Sequence, residues 1–193
     1  MIKDNLKSQI REWAESIIIA VILALVIRAF VVQAFKIPSG SMIPTFQVGD
    51  RIFVNKFIYG ARIPFTDIRL PAVRQPIRGD IIVFRSPEDG KKDFVKRLIA
   101  MGGESVEIRD GKIYIDSKVI DEPASIMVVY YYNSGDYGQE SKVITVPKDS
   151  YFVLGDNSAS SRDSRYWGFV TKKNLIGKVI FLYWPIHRVR TVK

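Results

Sequence analysis

The sequence predicts a mainly β protein: a compact barrel-like or sandwich β domain with irregular extensions, preceded by one amino-terminal transmembrane helix. Three observations predict it. An apolar run fills residues 17–35. The chain from residue 36 onward breaks into short alternating or continuous apolar stretches bounded by Gly, Pro and Asp. At 193 residues the chain is long enough for a membrane segment plus one compact domain.

Residues 1–16 are mixed in charge, with Lys3, Lys7 and Arg11 against Asp4, Glu12 and Glu15. The run that follows is unbroken from Ile17 to Ile27 and resumes after Arg28 as far as Phe35. Nineteen helical residues span about 28 Å, close to the hydrocarbon thickness of a bilayer. Trp13 and Phe35 flank it, where interfacial rings are favoured. Arg28 is expensive there unless it reaches the headgroups. No small-x-small cleavage pattern follows the run, so an uncleaved anchor is expected. The lysine and arginine bias places residues 1–16 in the cytoplasm and residues 36–193 on the outer side.

Phe35 to Phe46 joins anchor to domain. Pro38 and Pro44 restrict its backbone, and Gly40 permits a sharp bend directly before Ser41, so this serine is expected to be exposed at a defined place. A membrane-to-domain linker has the same composition. Strands are expected over residues 51–59, 80–85, 93–100, 105–109, 112–116, 142–146, 151–154 and 178–184. Asp110-Gly111 is a hairpin signal. Residues 61–79, with Pro64, Pro71 and Pro76, read as an irregular excursion that skirts the domain or touches the membrane. Residues 117–140 read as an extended or hairpin insertion whose tyrosines 130–132 pack or sit in a sheet.

Composition narrows the chemistry. Lys plus Arg is 29 against 20 Asp plus Glu, a formal charge of +9, which suits an anionic membrane surface. Nucleic acid is not expected, because no zinc finger, basic helix or aromatic RNA-binding pattern accompanies the charge. The absence of cysteine excludes thiol nucleophiles and thiolate-ligated metals. The single histidine, His187, sits in a basic tail and reads as a surface residue, so nucleophilic chemistry needs another base.

Lys96 is the charged residue of most interest. In an alternating strand Phe94, Lys96 and Leu98 point one way and Val95, Arg97 and Ile99 the other. If Lys96 faces the core, loss of water depresses its pKa and a neutral amine can accept a serine proton; if its stem only covers apolar surface, the ammonium reaches solvent. A second polar cluster runs from Gly155-Asp156-Asn157 through Ser161-Arg162-Asp163-Ser164-Arg165 to Gly168. Asp163 and Arg165 can pair if the loop curls, and a solvated turn explains the composition equally well. Asp156 and Asp163 have no metal-ligand spacing, and no metal or other cofactor is expected.

The order of parts resembles the bacterial type I signal peptidases, membrane-bound serine endopeptidases that remove signal peptides from exported preproteins. The resemblance rests on the apolar segment, Pro38-Ser39-Gly40-Ser41-Met42-Ile43-Pro44-Thr45, Arg78-Gly79-Asp80-Ile81-Ile82-Val83-Phe84, Asp93-Phe94-Val95-Lys96-Arg97, and Gly155-Asp156-Asn157 through Gly168. It implies a serine and lysine dyad, with Ser41 as nucleophile and Lys96 as general base. It further implies an oxyanion hole from the Ser39 hydroxyl and the Ser41 N–H, a Ser161 that orients the lysine, and a supporting Asp163–Arg165 pair. Phe35, Ile37, Pro38, Met42, Phe46, Phe94 and Val95 would form small apolar pockets for substrate side chains one and three residues before the cut. Implied partners are signal peptides, the phospholipid membrane and the protein-export translocase; the implied location is the bacterial cell membrane. The chain departs from the family pattern at Ser158-Ala159, where Arg-Asp is frequent, which bears on any wider charge network. Two other readings fit the parts less well: a self-cleaving regulator, disfavoured by the anchor and the lack of a DNA-binding domain, and a tethered β domain that only binds partners.

Overall fold

The computed structural model describes residues 2–63, 66 and 68–192, and the side chains of these apart from residues 2–8 and 10. It opens with α1 (Ile2–Phe30), followed by β1 (Val32–Lys36), β2 (Arg51–Asn55), β3 (Ile81–Arg85), β4 (Asp93–Met101), β5 (Ser105–Arg109), β6 (Lys112–Ile115) and β7 (Lys118–Val119). After α2 (Ala124–Met127) come β8 (Ile144–Thr145), β9 (Ser150–Leu154), α3 (Ser164–Trp167), β10 (Val170–Thr171), β11 (Leu175–Trp184) and β12 (Arg190–Thr191).

Among the described residues these strands make two antiparallel sheets. The larger has the order β1-β2-β11-β3-β4-β9-β10, with β12 also paired to β11; the smaller has the order β7-β6-β5-β8. The continuous apolar run of β3 is buried on both faces, as such runs require. Ile81 and Val83 join Ile37, Met42, Phe46, Ile52 and Val54 in one core cluster. Ile82 and Phe84 join Leu98, Tyr151 and Val153 in another. The alternating strands β5 and β6 instead bury only Val106, Ile108, Ile113 and Ile115, which pack with Ile99, Ala100, Phe152 and Leu154 and so seat the small sheet against the β4–β9 end of the large one. Asp110 and Gly111, both at positive φ, form the tight turn between them.

The apolar run at 17–35 is divided. Helical bonding continues to Val31, whose N–H donates to Ile27 O at 2.8 Å, and the chain then pairs with β2 from Val32 to Lys36. The reason is packing: Phe35 lies against the core cluster that holds Ile37 and Met42. The helix long and apolar enough to span a membrane is therefore Arg11–Phe30, 20 residues, with none of its apolar window buried against the domain. Arg28 falls in its last turn, where a cation complements the helix dipole.

Two other expectations change, and the irregular reading of 61–79 stands. The strand expected over 51–59 stops at Asn55, whose side-chain Oδ1 accepts from Ile58 N at 3.0 Å and turns the chain into the short helical turn Phe57–Tyr59. The segment 117–140 holds only β7 and the single turn α2 rather than a long hairpin. Tyr131 is buried in the core while Tyr130 and Tyr132 stay exposed. The excursion 61–79 is irregular apart from one bridge between Arg62 and Arg69. Pro64 lies outside the described residues.

Candidate functional site

Ser41 sits in a short 3-10 turn, Gly40–Met42, that leads out of β1 and lies against β4. Met42 anchors the turn in the core at 1% exposure. Ser41 itself is 9% exposed. It is not displayed on an open loop as the Pro-Ser-Gly-Ser composition suggested; it lines the wall of a cleft. Lys96 is 3% exposed, and its Nζ lies 2.6 Å from Ser41 Oγ. Burial pulls the amine down to about 8 from an ordinary 10.5; Asp163 and Asp156 resist the fall and Arg165 adds to it. Of the two arrangements open to Lys96, the structure adopts the buried one. Arg97 takes the opposite side of β4, as alternation demands.

A second loop holds the serine turn from behind. Asn157 N donates to Ser41 O at 3.0 Å, and Asn157 Nδ2 donates to Gly40 O at 3.0 Å. Gly155 lies so close that a Cβ built on it would stand 2.2 Å from Ser161 Oγ and 2.5 Å from Ser41 O. Asp163 and Arg165, both fully buried, form a two-bond pair at 2.8 and 2.9 Å. The remaining guanidinium hydrogens donate to Tyr132 O, Ser158 Oγ, Ser158 O and Ser161 O, and Asp163 Oδ2 accepts from Gly155 N. Ser161 Oγ, buried beside Gly155, has no hydrogen-bond partner.

Thr45, Arg97, Asp156 and Asn157 were not singled out from the sequence. Arg97 binds Asp156 through two bonds of 2.7 and 2.6 Å, with both side chains buried, and Thr45 Oγ1 also donates to Asp156. This pair ties β4 to the Gly155 loop next to Lys96. The signal was present: alternation forces Arg97 away from Lys96 into the interior, where a cation needs an acid. Ser158, at the departure from the family pattern, accepts from Arg165 and from Tyr132 N, so the loop is held by hydrogen bonds at that position.

The cleft holds about 60 Å³ and is lined by Phe35, Ile37, Pro38, Ser39, Ser41, Met42, Phe94, Val95 and Lys96, with Lys36 and Asp93. That size suits small side chains. Phe46 is fully buried in the core cluster of Ile37 and Met42 and does not line the cleft. Phe94 is backed by Trp167, its ring stacked at 5.3 Å. Ser39, exposed, places its Oγ 3.5 Å from Ser41 Oγ. Along β4, pairing with β9 begins only at Arg97, so residues 93–96 pair with β3 alone and leave a strand edge open beside the serine. His187 lies exposed in a turn between β11 and β12. Among the described residues no cluster of acids and histidine could hold a metal.

A protein-family model described as Signal peptidase, peptidase S26 matches residues 10–184. The chain belongs to this family. Signal peptidase I of Pseudomonas aeruginosa is 33% identical over 217 residues, covering 95% of this chain and 76% of its own. Signal peptidase I of Leptolyngbya laminosa is 37% identical over 191 residues, covering 94% and 83%. A solved signal peptidase I from Enterococcus faecalis V583 is 37% identical, covers 54% of this chain and 97% of its own, and gives a TM-score of 0.45. As a signal peptidase the chain carries its serine and its lysine at hydrogen-bond distance in a water-poor cleft, the arrangement that activated serines require.

Proposed function

We propose that this signal peptidase is a membrane-anchored serine endopeptidase that cuts signal peptides from exported preproteins after small residues, with Ser41 as nucleophile and Lys96 as general base. The observation that carries the reading is the 2.6 Å contact between a buried amine, lowered to about 8, and the serine hydroxyl. An ordinary exposed lysine is nearly all protonated at neutral pH and makes a poor base.

Neutral Lys96 takes the Ser41 proton as Oγ attacks the scissile carbonyl. The oxyanion that forms accepts hydrogen bonds from the Ser39 hydroxyl and from Ser41 N–H, which lies at the start of a 3-10 turn where N–H groups lack partners within the turn. Protonated Lys96 gives its proton to the departing amine, and the mature chain leaves. Lys96 then takes a proton from water, hydroxide attacks the ester, and the serine regains its proton as the signal peptide is released. The substrate adds as an extended strand along the open edge of residues 93–96, presenting alternate side chains to the small cleft. Steric exclusion by Phe35, Met42, Phe94 and Val95 favours Ala-x-Ala ends. The Asp163–Arg165 and Arg97–Asp156 pairs would steady the loop behind the serine turn; Ser161 Oγ makes no hydrogen bond to the amine in the structure and would form one only on turning toward it.

Residues 2–10 lie in the cytoplasm in this reading and the β domain on the outer face, where a preprotein emerges from the export translocase. Cleavage of a model preprotein with Ser41→Ala and Lys96→Ala tests the assignment. Both variants lose cleavage by 10⁴-fold or roughly that order while retaining their circular dichroism; cleavage by folded Ser41→Ala at the parent rate would remove the nucleophile.

A further inference from the structure

The excess of positive charge is not absorbed by the cleavage site. Part of it gathers at the foot of α1, where a second cleft of about 400 Å³, sharing Asp93 with the cleavage cleft, is lined by Lys56, Arg62, Arg69, Arg85 and Lys173, with Asp93 as the acid among its described residues. Asp93 is already engaged, 2.9 Å from Arg85 Nε. Arg69 is fixed by neutral acceptors, donating to Gly60 O at 3.0 Å, Lys173 O at 2.9 Å and Leu175 O. Lys56 Nζ likewise meets only neutral oxygens in its hydrogen bonds, Arg28 O and Gln33 Oε1, both at 3.3 Å. These bonds hold Lys56 and Arg69 in place without neutralising them. Burial and the nearby Arg28 charge lower the Lys56 amine, with Asp93 opposing, as expected where like charges are crowded. An adjoining cleft of about 470 Å³ shares Arg69 and Lys173 and adds Lys148 and Lys172, the latter 4.0 Å from Asp149, which also lines it.

Position identifies the ligand. Lys56 N donates to Val31 O at 2.9 Å, one residue past the end of the spanning helix, so the cleft stands at the level where the chain leaves the lipid. Exposed apolar side chains alternate with its cations in sequence: Phe57 beside Lys56 and Ile68 beside Arg69, at 45% and 61% exposure. Rings and branched side chains dip into the acyl boundary while neighbouring cations stay at phosphate depth.

We propose that this cleft seats the headgroup of an anionic phospholipid, with the phosphate between Lys56, Arg69 and Lys173 and the acyl chains along Phe57 and Ile68. The bound lipid fixes the height and tilt of the β domain on the bilayer. The proposal rests on α1 being the membrane anchor, and the test separates the two.

Full-length protein in neutral detergent is titrated calorimetrically with dioctanoyl phosphatidylglycerol, dioctanoyl phosphatidylcholine and inorganic phosphate. The anionic lipid binds about 25-fold tighter than the zwitterionic one, and Lys56→Gln with Lys173→Gln removes roughly fivefold of that preference per lysine. Lys56→Arg with Lys173→Arg keeps the preference, and peptide cleavage in phosphatidylcholine micelles is unchanged in both double variants. Equal binding of the two lipids overturns the proposal, as does a preference that survives in the glutamine variant. Phosphate competing at the same concentration as the lipid would show a free-phosphate site instead. Flotation with pure phosphatidylcholine vesicles is the separate check on α1: failure there removes the anchor and the lipid seat together, whereas flotation without lipid preference removes the seat alone.

Discussion

With Lys96 as the proposed general base, its amine should set the pH response of the enzyme. Only a neutral amine can accept the Ser41 proton, so kcat/KM should climb about tenfold per pH unit below about 8 and level off above it. A profile flat from pH 6 to 9 would refute the general-base role. The same depression has a cost in stability. Below about 8 the amine is protonated in both folded and unfolded chains and the folded state carries the full penalty of burying it. The penalty fades as pH rises from about 8 toward 10.5, because the folded chain has by then released the proton. Lys96→Met should therefore abolish cleavage yet raise stability at pH 7 by about 3 kcal/mol, read as an increased Tm. Ser39 tests the oxyanion hole. Ser39→Ala should lower kcat by roughly 10²-fold to 10³-fold with little change in KM, since its hydroxyl is needed only once negative charge develops. Strand alternation left Lys96 two possible surroundings, and the sequence could not choose between them. The choice depends on the turn at Gly40–Met42 docking 55 residues away in the chain, a contact no local pattern encodes.

The elements matter because two loops from distant parts of the chain meet at β4. The Gly155–Asn157 segment leaves the end of β9 and grips the serine turn by two hydrogen bonds from Asn157. Gly155 permits that approach. Its φ is ordinary, so the demand for glycine is one of space: Gly155→Ala would push its methyl into Ser161 Oγ and into Ser41 O, and the latter is backbone that cannot swing aside as a long side chain would. The expected result is a loss of kcat of about 10²-fold, with KM for a short peptide little altered, because the cleft walls come from β1 and β4. A variant with the parent kcat would show that the loop does not position the serine. Alternation and turn residues made β3, β4, β5, β6 and β9 legible from sequence. The short pairings β1, β7, β10 and β12 were not legible. Two of them hold only exposed residues, and β1 lies inside an apolar run whose hydropathy reads as membrane until the partner strand β2 is known.

At the scale of the whole molecule, the anchor and the cleavage domain are nearly independent bodies joined at the start of β1. From Trp13 to Ile27 the apolar side chains of α1 are exposed, so this stretch contributes no core packing, and among the described residues hydrogen bonds tie the helix end to the domain at the Val31 backbone and through Lys56 to Arg28 O. As the proposed anchor, α1 would provide proximity. A tethered enzyme meets a signal peptide embedded in the same bilayer at an effective concentration far above that of a freely diffusing one. A chain beginning at Val31 should therefore fold, keep kcat/KM on a short soluble Ala-x-Ala peptide within about threefold of the parent, and lose roughly 10²-fold or more on a preprotein reconstituted in vesicles. Equal losses on both substrates would mean that α1 shapes the cleft, contrary to its exposure; equal retention on both would mean that the β domain finds the membrane unaided. Sequence hydropathy showed an apolar segment long enough to cross a bilayer, and the pairing of residues 32–36 with β2 ends its helical part at Phe30. With α1 as the proposed anchor, the cleavage cleft would begin within a few residues of the bilayer surface.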